Sequence, residues 1–273
     1  LYAPAPDNPP LLVHVSHPVS PSDNFILVLL WTPLLSLPEL LLCCILIRIS
    51  GLAVQPDSHP SIGFNAFIKT NWSHVLLGLV GIGLMLYVTR TYGLMVITDS
   101  INYLSASRHL LEGKGYIAFN NDVYTWWPPL LPVILVFFRG GLTETDLFAI
   151  RFFYLLVFGL NLSLSSYLLK KVSHPVLFLP ASLLLLVSIP LWATNTTLLS
   201  EPFFLLFEVL LLVVWQRLIK KERFTDLLLI CLLLMALCQT RYVGVLLAAA
   251  FCLAYLFTGK GSFARRLIVS VMV

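Results

Sequence analysis

The sequence predicts an all-α fold, a polytopic bundle of transmembrane helices with interfacial helices in its first outer loop. Three observations predict it. Of the 273 residues, 59% are hydrophobic and only 11% charged, too little charge to cover the surface of a soluble domain. The apolar residues fall in Leu-rich runs near the ~20 residues that a helix needs to cross the hydrocarbon core. Those runs do not alternate as barrel strands do, and inside lipid a helix satisfies its own backbone.

The elements follow in order. Residues 1–24 are proline-rich and weakly apolar, and read as an extended tail. No cleavable signal peptide is evident. Residues 25–73 hold an extra N-terminal transmembrane helix, 25–49, and an inner loop. Residues 74–273 form the main membrane region, with spans expected at 74–97, 147–169, 176–193 and 202–219. A longer run, 224–257, is interrupted by Gln239, Thr240 and Arg241, and a further span begins near residue 264. The start at Leu1 and the end inside an apolar run lead to the expectation of a fragment of a longer protein, incomplete at its C-terminus.

Charge decides how the short apolar stretch 128–138, "PPLLPVILVFF", is treated. If it spans, Lys170 and Lys171 fall opposite the cluster 217–223, "RLIKKER". If it lies in the interface, the clusters at 170–171, 217–223 and 260–266 share one side, joined by Lys69 and Arg48. The positive-inside rule favours the second arrangement. Residues 99–141 then form one large outer loop with two interfacial helices, 101–111 and 129–138. The net charge of +4 reports topology rather than nucleic-acid binding. The five cysteines lie in apolar stretches without metal-ligand spacing and read as small buried hydrophobes.

The interrupted run has its own physics. As one helix it would be about 50 Å long and would set Arg241 near the bilayer centre, at about 2.5–3.5 kcal/mol. As two legs it is a hairpin whose polar tip faces outward, and an arginine there is a candidate anion ligand.

Four other stretches carry candidate chemistry. Asp99 is expected to end the 74–97 helix on the outer side, either as the N-cap of the next helix or as a general base or acid at the membrane boundary. "NNDVYTWWPPLLP", 120–132, combines Asp122 with Tyr124, Trp126 and Trp127. It reads as an aromatic belt or as a platform for a sugar ring or lipid head. Glu201 opens a helix on the outer side, where the helix dipole favours a carboxylate. Glu208 and Arg151 lie within spans. No phosphate-binding glycine loop and no histidine ligand pattern occur.

In this order the pieces resemble the GT-C membrane glycosyltransferases, especially the family 39-like protein mannosyltransferases and aminoarabinose transferases. The resemblance runs from about residue 75 to 257 and rests on Asp99 followed by "INYLSASRHLLEGKGY", then "WWPPLLPVILVFF", "FAIRFFYLL", "TTLLSEPFFLLF" and "CQTRYVGVLLA". It implies a GT-C-like catalytic bundle at 74–273 that moves a hexosyl or pentosyl unit from a polyprenyl-phosphate donor. The acceptor, a protein, lipid or glycan, lies on the outer or lumenal face, and transfer inverts the sugar carbon.

The resemblance gives Asp99 the part of the acid that deprotonates or positions the acceptor. Glu201 matches a second outer acid. Arg241 matches a basic residue that holds the donor phosphate, with Arg108 and Lys114 as further phosphate contacts. Asp122, Tyr124, Trp126 and Trp127 would face substrate. No cofactor is required, and a divalent metal is not indicated, since no Asp-x-Asp pair follows the first helix. "WWPPLL" carries tryptophan where some relatives have lysine, and the extra helix 25–49 departs from the usual pattern. The expected location is a multi-pass one, in a bacterial plasma membrane or, in a eukaryote, the endoplasmic reticulum. The bilayer is then the partner and nucleic acid is not. The alternatives are a transporter or lipid flippase, expected to show broken helices in paired repeats, and a non-catalytic membrane scaffold.

Overall fold

The computed structural model describes residues 64–173, 175–221 and 223–259, together with Arg266 and Ser270, and their side chains from Trp72 onward except at Val172, Pro175 and Thr258. The tail 1–24, the helix at 25–49, most of the inner loop and the span beginning near 264 therefore lie outside the described residues, apart from those two. The described residues fall in one unit, Ser58–Val273.

Among them the regular structure is helical, and the only β pairing is two isolated bridges. The order is α1 (Phe64–Val88), α2 (Thr98–Leu111), α3 (Leu130–Val136), a 3-10 turn (Arg139–Gly141), α4 (Glu144–Val172), α5 (Pro175–Leu186), α6 (Ile189–Thr196), α7 (Glu201–Lys221), α8 (Phe224–Thr240) and α9 (Val243–Thr258). Among the described residues three stretches are long and apolar enough to cross a membrane: Glu144–Lys171, Val176–Thr196 and Glu201–Lys221. Phe224–Thr240 and Val243–Phe257 are shorter apolar helices, as two legs of a hairpin should be.

Side-chain contacts fix the directions of the helices. His74 Nδ1 meets Ser166 Oγ at 2.9 Å, and Arg151 Nη2 donates to the Leu86 carbonyl at 2.9 Å, so α1 and α4 are antiparallel. They approach closely where Gly78 faces Gly159: a Cβ on Gly78 would lie 2.6 Å from the Gly159 carbonyl oxygen. Arg151 also donates to Thr89 Oγ1 at 2.9 Å. It caps the C-terminal end of α1, where a cation complements the helix dipole. Helices α4 and α7 run parallel, with Tyr154 Oη on the Leu199 carbonyl at 2.7 Å and Lys171 Nζ on Gln216 Oε1 at 2.9 Å.

Helix α8 then returns. Arg217 pairs at 2.9 Å with Asp226, a buried acid in the first turn of α8. The 21 residues of α7 and the 17 of α8 span about 31 and 26 Å, so α8 finishes near the level at which α7 began. The chain breaks at Arg241, whose backbone is extended at φ −150°, ψ 144°, and α9 descends against α8. The turn is tight because Gly244 sits on the backbone of Leu237, where a Cβ would come within 2.5 Å of the carbonyl. Gly244→Val is expected to force the legs apart and to destabilise the protein by about 1–3 kcal/mol, read as a lower thermal midpoint of the purified protein.

The outcome is a bundle with two unlike ends. Lys170, Lys171, Lys220 and Lys221 stand in last helical turns at one end, beside Arg217 and Arg223. Asp99, Glu201, Arg241 and the whole segment from α2 to α3 lie at the other, which is the sharing of one end that the charge argument expected for the first two clusters.

Beyond shifts of a few residues at helix ends, such as 101–111 becoming Thr98–Leu111 and 147–169 becoming Glu144–Val172, the structure departs from the expectation as follows. The first span, expected at 74–97, is instead α1 from Phe64 to Val88. Residues 89–97 are not helical. Met95 pairs instead with the stretch before α7, its N–H donating to Thr196 O at 2.8 Å and its carbonyl accepting from Leu198 N at 2.9 Å. Asp99 therefore does not end α1, and it is not the N-cap of α2, which is Ile97. It is the second residue of α2. The apolar run 176–193 is broken between α5 and α6 at Val187 and Ser188, because Pro190 cannot continue the helix hydrogen bonding of the preceding turn. The expected helix 129–138 shortens to Leu130–Val136, followed by the tight turn.

Candidate active site

Three pieces of chain converge at the end of the bundle opposite the lysines. The first is the start of α2. Ser100 fixes it: its Oγ accepts from the Ile97 N–H at 3.1 Å and donates to the Leu198 carbonyl at 2.7 Å. The second is the turn into α7, held from α4 by Tyr154 on Leu199 and by Asn161 Nδ2 on the Pro202 carbonyl at 2.9 Å. The third is the break between α8 and α9. Tyr242 Oη anchors it to the aromatic loop through the Thr125 carbonyl at 2.7 Å.

On this frame Arg241 Nη1 forms an ion pair with Glu201 Oε1, and each side chain is only about a quarter exposed (22% and 24%). The pair is single-pointed. Glu201 Oε2 is buried and has no hydrogen-bond partner. The guanidinium lies 5.7 Å from the centre of the Trp127 ring, within reach of a cation–π attraction.

Asp99 stands in the field of this pair, and its carboxyl is held above the ordinary carboxylate range. Burial is the largest cause and the negative charge of Glu201 the second. The Arg241 charge and the Trp127 indole N–H act the other way. Two acids and one base in a half-buried site carry an excess negative charge, which retention of a proton on Asp99 relieves.

Tyrosines line the cluster. Tyr103, one helical turn after Asp99 on the same face of α2, approaches Ser200 Oγ at 3.3 Å, and burial pushes its phenol up to about 12. Tyr116 and Tyr124 are likewise raised by burial, so all three stay neutral donors. Tyr124 packs edge-on against Tyr103 and Tyr116, with ring centres at 6.3 and 5.0 Å. It is 2% exposed, and its hydroxyl is without a partner.

The sequence-derived candidates are thus divided. Asp99, Glu201, Arg241 and Trp127 come together, with Tyr124 in the wall. Trp126 is 77% exposed. Asp122 lies at the exposed tip of the 116–124 loop, where Asn120 Nδ2 donates to its carboxylate at 2.6 Å. Lys114 pairs with its neighbour Glu112 at 2.6 Å on the surface. Arg108 faces backbone, with Nε on the Gly140 carbonyl and Nη2 on the Gly141 carbonyl, both at 2.9 Å. Gly140 is required there, since its φ is +63° and a Cβ would meet Ser107 Oγ at 2.8 Å. Arg108→Ala is expected to remove roughly 2 kcal/mol or more of stability through those charge-assisted bonds, visible as a lower thermal midpoint.

Sequence reasoning passed over Tyr103, Ser200 and Tyr242. Each carried a signal: Tyr103 by its i+4 spacing from Asp99, the others by adjacency to Glu201 and Arg241. Among the described residues no group of three or more His, Cys, Asp or Glu side chains is arranged to hold a metal ion. No protein family, curated protein or solved structure matches this chain.

Proposed function

We propose that the protein is a multi-pass membrane glycosyltransferase that moves a sugar from a polyprenyl-phosphate donor to an acceptor hydroxyl at the outer or lumenal face. The observation that carries the reading is the convergence of Asp99, Glu201 and Arg241, from three distant stretches of sequence, at one end of an apolar helical bundle. The expected GT-C-like architecture, with α2 and α3 near the membrane boundary, belongs to the same proposal.

The chemistry assigns each group one task. The acceptor O–H gives its proton to the Asp99 carboxylate as its oxygen bonds to the anomeric carbon. The bond from that carbon to the phosphate oxygen breaks, and its electron pair leaves with the phosphate. Arg241 receives the developing charge, with guanidinium N–H donors left over beyond the one on Glu201. One displacement inverts the sugar carbon. A general base of this kind contributes about 10²–10⁴-fold. The lipid tail stays among the exposed apolar side chains of the bundle, which include Leu184 and Leu246, so the site belongs at the boundary rather than the midplane.

A panel of polyprenyl-phosphate sugars, presented to membranes carrying the full-length protein, tests this directly. Consumption of one donor with transfer of its sugar is expected. Movement of the lipid across proteoliposomes without bond cleavage would replace the reading by the transporter one, to which the two interrupted apolar runs, at Ser188 and at Arg241, would then belong.

A further inference from the structure

The ion pair at the site poses a problem for any phosphate ligand. Arg241, the group best placed to hold the anion, already has a carboxylate on it. The pairing is partial. Only Glu201 Oε1 engages, on Nη1, while Oε2 is buried and unsatisfied. A bidentate fork would have used both oxygens. A phosphate therefore has guanidinium edge left to bind, but it must do so beside a full negative charge. Glu201 is the first residue of α7 and is pinned by its neighbours: Ser200 meets Tyr103, and the Leu199 and Pro202 carbonyls are held from α4. The backbone that carries the carboxylate is therefore held beside Arg241.

We infer that Glu201 is a specificity-determining counter-ion: it admits a singly charged phosphodiester to Arg241 and disfavours a doubly charged phosphomonoester. This rests on the proposed phosphate role of Arg241. A lipid-linked sugar donor is a phosphodiester with one negative charge, whereas the discharged lipid is a monoester that carries nearly two above its second pKa of about 6. The extra charge of the product meets Glu201 at short range in a half-buried site, where charges act more strongly than in water. Glu201 thereby weakens the hold on the spent carrier more than on the donor, which favours turnover.

The test measures binding of two probes to the full-length protein in nanodiscs at pH 8. One is a polyprenyl monophosphate and the other its methyl phosphodiester, which has the same tail and one charge fewer. Wild type is expected to prefer the diester. Glu201→Gln should tighten monoester binding by about tenfold more than diester binding, a factor equivalent to 1.4 kcal/mol. Glu201→Asp, which keeps the charge, should retain the wild-type ratio, and thermal melting of each variant reports folding. Should Arg241→Met weaken both probes while Glu201→Gln leaves their ratio unchanged, the discriminating role is overturned and the phosphate site survives. Should Arg241→Met leave both probes unaffected, the phosphate reading fails and takes this inference with it.

Discussion

Asp99→Asn is expected to lower sugar transfer by about 10²–10⁴-fold, the usual contribution of a positioned general base, without loss of folded protein. The second half of that expectation separates catalysis from structure. Burial and the charge of Glu201 make the native carboxyl hold its proton to higher pH than the same group in the unfolded chain. Between the two pKa values the native state binds more proton than the unfolded one, so this group's contribution to stability falls as pH rises through that window. Asparagine removes a charge the fold accommodates at a disadvantage. The thermal midpoint of Asp99→Asn at pH 7–8 should equal or exceed that of wild type, and a fall of several degrees would assign Asp99 a structural part. The wild-type rate should also rise with pH through an acid limb lying above the ordinary aspartate value of about 3.9. A limb at or below that value would remove Asp99 as the base.

Arg241→Met carries the second large effect. Loss of a donor that receives transition-state charge costs roughly 10²–10³-fold, and Arg241→Lys should recover little of it, because a point charge does not reproduce the planar fork. The substitution also leaves Glu201 half-buried without its cation, at about 1–3 kcal/mol or more. Two pH shifts of opposite sign accompany the two partners. Arg241 lowers the Asp99 pKa and Glu201 raises it. The acid limb of kcat/KM should therefore move to higher pH in Arg241→Met and to lower pH in Glu201→Gln. Shifts of the same sign in both variants would mean that the limb reports another group.

A good part of this molecule was legible in the one-dimensional pattern, and particular residues show why. The Gln239-Thr240-Arg241 interruption predicted a hairpin, because a charged side chain at mid-span is expensive and a break relieves it. The lysine pairs predicted a common end for Lys170, Lys171 and Arg217–Arg223. These are local or additive features, and periodicity and charge counts capture them. The end of α1 was misplaced because residues 89–97 are apolar enough to extend a helix. Their actual state depends on Met95 pairing with Thr196 and Leu198, a hundred residues away.

What the sequence determined by itself was the class: helical and apolar, in runs near the length of a membrane span, with acids and an arginine set at the edges of those runs. What only the tertiary structure decided was the employment of each charge. Arg108 and Arg241 are equally basic on paper, yet one clamps two glycine carbonyls and the other meets Glu201 across forty residues of chain. Hydropathy depends on composition within a window and survives any rearrangement of the helices. Pairing depends on which helix ends meet, and that is set by turn geometry, by close packing at Gly78 and Gly244, and by single hydrogen bonds such as that of Ser100 to Leu198.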